Sequence, residues 1–190
     1  MSSFDRRLML GFALAGAGLA FLSARAEAQL FDFPEWYTLA NAAQNGKDDE
    51  IAYLLRRGDN PNFVDPRGHT PLSYVAALGD VDGVKLLVDG GARVDYRDKG
   101  GAMALHAAAE HGHAEVVRLL LQLKAPPDVP DHQGVTPLML AAGANKADVV
   151  RLLIAAGADP TKQDYTGRDA ANWGRGKPNI LQALATAHTR

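Results

Sequence analysis

Asp32, Asp65, Asp98, Asp131 and Asp164 stand 33 residues apart, with no insertion between them. The same step links Gly68, Gly101, Gly134 and Gly167, and it links Leu39, Leu72, Leu105 and Leu138. It also runs through Ala43, Ala76, Ala109 and Ala142, through Ile51, Val84, Val117 and Val150, and through Leu54, Leu87, Leu120 and Leu153. A fixed period of this size means a row of like units, each too small to hide its own apolar side and therefore stacked on its neighbours.

The stretch GVTPLMLAAG, Gly134 to Gly143, shows what recurs; GHTPLSYVAA begins at Gly68. Thr136 predicts an N-cap and Pro137 the first helical residue, because the proline ring fixes φ where the missing N–H has no intrahelical partner. Leu138, Ala141 and Ala142 then share one face, and the alanines let a neighbouring helix come close. Gly46, Gly79 and Gly112 mark the turn after this helix. The fourth unit has Asn145 there, the next most tolerant residue for a left-handed backbone, so the position is expected to have positive φ. A second helix follows with Val149, Val150, Leu152, Leu153 and Ile154, a stripe too wide for a helix buried on one side only. Gly58, Gly91 and Gly157 end the second helices.

Helix, tight turn, helix and extended loop thus make one unit. The segments DPRGHTPLSYVAALGDVDGVKLLVDGGARVD, DKGGAMALHAAAEHGHAEVVRLLLQLKAPPD and DHQGVTPLMLAAGANKADVVRLLIAAGADP closely resemble ankyrin repeats. The resemblance runs from about Asp32 to Leu184 and implies an all-α solenoid of five units, at about 32–64, 65–97, 98–130, 131–163 and 164–187. The first and last units depart from the pattern as capping units do, since their outer faces meet water. In the third unit Met103-Ala104 replaces Thr-Pro, and Lys124 replaces the closing glycine. A lost cap and a strained Lys124 are each expected to cost about 1 kcal/mol. The loop that follows, with Pro126, Pro127 and Pro130, is expected to differ from its neighbours.

Little in the chain points to chemistry. It has no cysteine, hence no disulfide and no thiolate ligand or nucleophile. A formal charge of −2 leaves no basic excess for nucleic acid. No nucleophile elbow, phosphate-binding glycine loop or metalloprotease motif is present, and the chain is read as no enzyme. The periodic aspartates are expected to fix loop backbone. The resemblance gives His106 and His113 structural places, and His188 falls in the tail. His69 and His132 lie two units apart, about 20 Å at usual helix spacing, too far to share a metal. His111 with His113 lacks a third ligand, so neither metal nor cofactor is expected.

The resemblance also implies a binding surface on the concave side, made by loop tips and first helices. Carried over residue by residue, it comprises Arg67, His69, Arg97, Lys99, His132, Gln133 and Tyr165, with Leu78 and His111 at the helix edge. Such a strip suits a partner protein with acidic patches, with Arg and Tyr as anchors. A monomer is expected. FDFPEWY, Phe31 to Tyr37, is expected to cover the end of the stack.

The N-terminus reads as an export signal over residues 1–28: Arg6 and Arg7, an apolar stretch from Leu8 to Leu22, and small residues at Ala24, Ala26 and Ala28. The stretch is short of the roughly 20 residues that span hydrocarbon, so it is read as cleaved, after Ala26 or Ala28, with no stable membrane insertion afterwards. The arginine pair resembles a bacterial twin-arginine signal, although Asp5 stands where Ser or Thr is usual; the general secretory route stays open. The expectation is a periplasmic adaptor or accessory factor. A secreted effector acting on host proteins, or an accessory to a periplasmic metal or redox enzyme, are the alternatives.

Overall fold

The computed structural model describes residues 38–185. The export signal at 1–28, the aromatic stretch Phe31 to Tyr37 and His188 lie outside the described residues.

Ten helices and no strand are found among the described residues. Five are first helices: α1 (Leu39–Gln44), α3 (Pro71–Leu78), α5 (Ala104–His111), α7 (Pro137–Gly143) and α9 (Ala170–Trp173). The second helices are α2 (Asp48–Arg57), α4 (Val81–Asp89), α6 (Ala114–Gln122), α8 (Ala147–Ala155) and α10 (Pro178–Ala185). Each first helix contacts the next first helix, and each second helix the next second helix, so two parallel rows form a solenoid. None of the ten is long and apolar enough to cross a membrane.

The periodic residues build the layer between the rows. Ala76, Leu105, Ala109, Leu138 and Ala142 are buried on the first helices, and Val84, Leu87, Val117, Leu120, Val150 and Leu153 on the second. Each valine or leucine so placed contributes about 1.5 to 3 kcal/mol by leaving water, and each alanine less. Residues 33 apart occupy the same place in successive layers, which is what the unbroken period encodes.

Helix starts follow the cap chemistry. Thr70 Oγ1 accepts the Ser73 N–H at 3.1 Å and Thr136 Oγ1 the Met139 N–H at 3.4 Å, each with proline next. In the first unit Thr38 is the cap, accepting from Asn41, so α1 starts one residue late relative to the period. Asp169 caps α9 through the Asn172 N–H.

The third unit corrects one expectation in part. Met103 supplies no side-chain cap. Half of the capping box survives, however, because His106 Nδ1 accepts the Met103 N–H at 3.1 Å. Lys124 takes φ 68° and Asn145 φ 63°, the left-handed geometry expected of both positions. The loop with Pro126, Pro127 and Pro130 keeps its neighbours' turn position, Pro127–Asp128 matching Val94–Asp95 and Pro160–Thr161, but differs in its bonding, since Pro126 has no N–H where Arg93 donates to Asn62 Oδ1. Its prolines fall where the chain is already extended or turning.

The C-terminal end is tied back by charge. Lys177 Nζ donates to the Gly143 carbonyl at 2.7 Å and reaches the Ala142 and Trp173 carbonyls at 3.4 Å. A cation thereby meets the negative end of the α7 dipole.

Candidate functional site: a groove behind the loop tips

Each loop turns on its aspartate. Asp98 Oδ1 accepts the N–H groups of Gly100 and Ala102 at 2.8 and 2.9 Å, and Asp131 Oδ1 those of Gln133 and Val135 at the same distances. Asp65 Oδ1 takes the His69 N–H and Asp164 Oδ1 those of Thr166 and Arg168. One carboxylate oxygen is therefore spent on the turn, and in units two and five the other meets the first helix of the same unit.

What meets that second oxygen changes along the stack. The facing positions, 33 apart, are Tyr74, Ala107, Leu140 and Trp173. The Tyr74 hydroxyl donates to Asp65 Oδ2 at 2.7 Å, and Trp173 Nε1 donates to Asp164 Oδ2 at 3.0 Å. Burial alone would raise the Asp65 carboxyl, but hydrogen bonds from His69 and Tyr74 outweigh it and hold the group below the usual carboxylate range. At Asp164 burial is likewise outweighed, by Thr166, Arg168 and Trp173, and the carboxyl lies far below that range. Units three and four have no such donor. Ala107 and Leu140 cannot hydrogen-bond through their side chains, and Asp98 Oδ2 meets His69 Nδ1 from the preceding unit, at 3.4 Å.

The small Ala107 opens a groove of about 320 Å³. Apolar lining comes from Ala77, Met103, Ala107 and Leu140; Asp98, Asp131 and Glu110 supply carboxylates, and His69, His106 and His111 imidazoles. Asp98 is buried to all but 9% of its side chain, whereas His69 is half exposed. His69 also meets Tyr74 edge to face, with ring centroids 5.5 Å apart. No lysine or arginine lines the groove.

Of the positions expected on the binding surface, the groove brings together His69 and His111 only. Arg67, Arg97, Lys99, His132, Gln133 and Tyr165 lie on the tips in front of it, all exposed, and Leu78 is half exposed at the end of α3. Several tip residues also join units. The N–H groups of Lys99, His132 and Tyr165 donate to the carbonyls of Gly68, Gly100 and Gln133 in the preceding loop, at 3.1, 2.9 and 3.1 Å. The Tyr165 ring lies over Gly134, where a Cβ would meet it at 2.8 Å, so that glycine serves close approach as well as its φ of 80°. Arg97 donates to the Gly101 and Pro130 carbonyls at 3.0 and 2.6 Å, which ties its guanidinium into the stack.

His106 and His113 take the structural places expected of them. His106 is buried, with Nε2 on the Val135 carbonyl, and His113 Nε2 meets the Ala77 carbonyl at 2.8 Å. The His111 and His113 rings stack in parallel 6.1 Å apart, and His111 Nδ1 holds the Ala107 carbonyl. Among the described residues no group of three or more His, Cys, Asp or Glu is placed to hold a metal.

The groove residues Tyr74, Asp98, Ala107, Glu110, Asp131 and Leu140 were not foreseen. Their signal was nonetheless present: the period puts the change from aromatic to Ala and Leu at one phase of the repeat.

A family model described as ankyrin repeats matches the chain in three copies, over residues 20–98, 39–131 and 79–164. No curated protein matches it. Helical pairs at a constant step of 33, joined by loops that bond one to the next, are the architecture that this match describes. The chain therefore belongs to the ankyrin-repeat family, whose domains are typically non-enzymatic protein-interaction modules.

Proposed function

We propose that the chain is a non-enzymatic adaptor that holds a partner protein along its loop tips and first helices, and that it works in the bacterial periplasm after export. The observation that carries the binding reading is the groove at Ala107, flanked by exposed loop tips. Nearest-neighbour stacking between the two rows of helices supplies the core, so the side chains that line this groove stand outside it and can meet a partner. Export rests on Arg6, Arg7, the apolar Leu8 to Leu22 and the alanines before Gln29.

The test has two arms. Fractionation of native cells should place the mature chain in the periplasm, and changing Arg6 and Arg7 to Lys should block export if the twin-arginine route is used. Affinity purification of the mature chain from the envelope should recover a stoichiometric protein partner. Recovery of the chain in the cytoplasm, still carrying residues 1–28, would contradict the periplasmic reading; a chain purified without any partner would contradict the adaptor reading.

A further inference from the structure

The groove has two loop aspartates, Asp98 and Asp131, to which the first-helix position of their own unit offers no side-chain donor; Asp98 Oδ2 meets His69 Nδ1 at 3.4 Å instead. In units two and five an aromatic donor answers the second oxygen of the loop aspartate, Tyr74 for Asp65 and Trp173 for Asp164. In units three and four that phase holds Ala107 and Leu140, whose side chains donate nothing. Glu110 stands beside them, exposed. Asp98 and Asp131 both stand near enough to His106 to favour its charged form, although burial outweighs them. The groove is thus apolar along its walls, acidic at its head and free of lysine and arginine.

We propose that this groove receives an arginine or lysine side chain from the partner protein. The aliphatic stem would lie against Ala77, Met103, Ala107 and Leu140, and the cationic head would pair with Asp98 and Asp131 where Tyr74 and Trp173 serve the aspartates of units two and five, with Glu110 as a third carboxylate. Long basic side chains bury an apolar stem beneath a charged end, and this lining offers surface for both parts. The proposal rests on the reading of the concave face as protein-binding and specifies what that face selects.

The test is to pan a phage-displayed heptapeptide library on the immobilised full chain and to titrate the enriched peptides in solution. Enriched sequences should share one Arg or Lys at a fixed position flanked by small or apolar residues. Replacing that residue with norleucine should weaken binding at least about tenfold, consistent with loss of a charge-assisted pair. Ala107→Tyr copies the residue of unit two, so it should fold, bond Asp98 and fill the groove; binding should disappear. Glu110→Gln should weaken binding by up to about fivefold, less at high salt. Peptides without a fixed basic residue whose binding Ala107→Tyr still abolishes would overturn the cation proposal while leaving a protein-binding groove. Peptides that bind Ala107→Tyr as well as the parent chain, or no enrichment at all, would overturn the groove itself.

Discussion

His106 Nε2 lies 3.3 Å from the carbonyl oxygen of Val135, at the start of the next unit, while its Nδ1 accepts the N–H of Met103. Only the neutral ring protonated at Nε2 satisfies both contacts. Burial holds its pKa below the ordinary 6.5, against the pull of Asp131 and Asp98. A histidine with a lowered folded pKa takes its extra proton in the unfolded chain. Its contribution is therefore complete above about pH 6.5 and is lost as pH falls below that value. His106→Met, which copies the residue of unit four, is expected to cost about 1 kcal/mol at pH 7.5 for the lost bond to Val135. It should also flatten the fall in stability just below pH 6.5. Urea unfolding at a series of pH values checks both effects.

Asp48 and Asp80 join the first two units with the opposite sign. Asp48 opens α2, Asp80 caps α4 through the Gly83 N–H, and Asp48 Oδ1 is buried without a hydrogen-bond partner. Burial pushes the Asp48 carboxyl up, and repulsion from Asp80, Asp82 and Asp49 pushes it further. A carboxyl with a raised folded pKa destabilises the fold where it is ionised, and stability recovers as pH falls through that value toward the ordinary 3.8. Asp48→Asn should accordingly raise the melting temperature at pH 7, and the gain should vanish in acid. An equal gain at both pH values would show that charge is not the cause.

Lys124 closes α6 with φ 68°, where neighbouring units have Gly91 and Gly157. Lys124→Gly should stabilise the chain by about 1 kcal/mol, because a side chain in the left-handed region meets its own backbone. Denaturant midpoints at unchanged slope are the measure.

Leu120 is fully buried between the rows, and Gln133 stands exposed on a tip. Leu120→Ala should cost about 2 to 5 kcal/mol, by lost transfer energy and the cavity left behind. Gln133→Ala should stay within about 0.5 kcal/mol of the parent. Equal losses at both sites would contradict the stacked-layer account.

Much of the fold was legible because the units repeat their punctuation: Thr136 with Pro137 starts a helix, and Asn145 in a glycine position reveals a left-handed turn. The same reading missed the His106 half-cap, since an imidazole accepting a backbone N–H three residues back has no pattern in composition. It also expected an odd loop at Pro126 to Pro130; the turn there keeps its neighbours' position, and what differs is the N–H that Pro126 lacks. The surface was less legible. Tip residues can be counted from sequence, but that Arg97 is tied to the Pro130 carbonyl depends on a contact across 33 residues. The groove arises from what position 107 lacks, and an absence becomes visible only when the aspartate it would have met is placed beside it.

The most direct measurement is amide hydrogen exchange of the chain with and without the partner that purifies with it. Protection should rise in the loops at 65–69, 98–102 and 131–135 and along α3, α5 and α7, while α4, α6 and α8 keep their free-state rates. Protection gained on α4, α6 and α8 with the loops unchanged would place the partner on the opposite face and contradict the account.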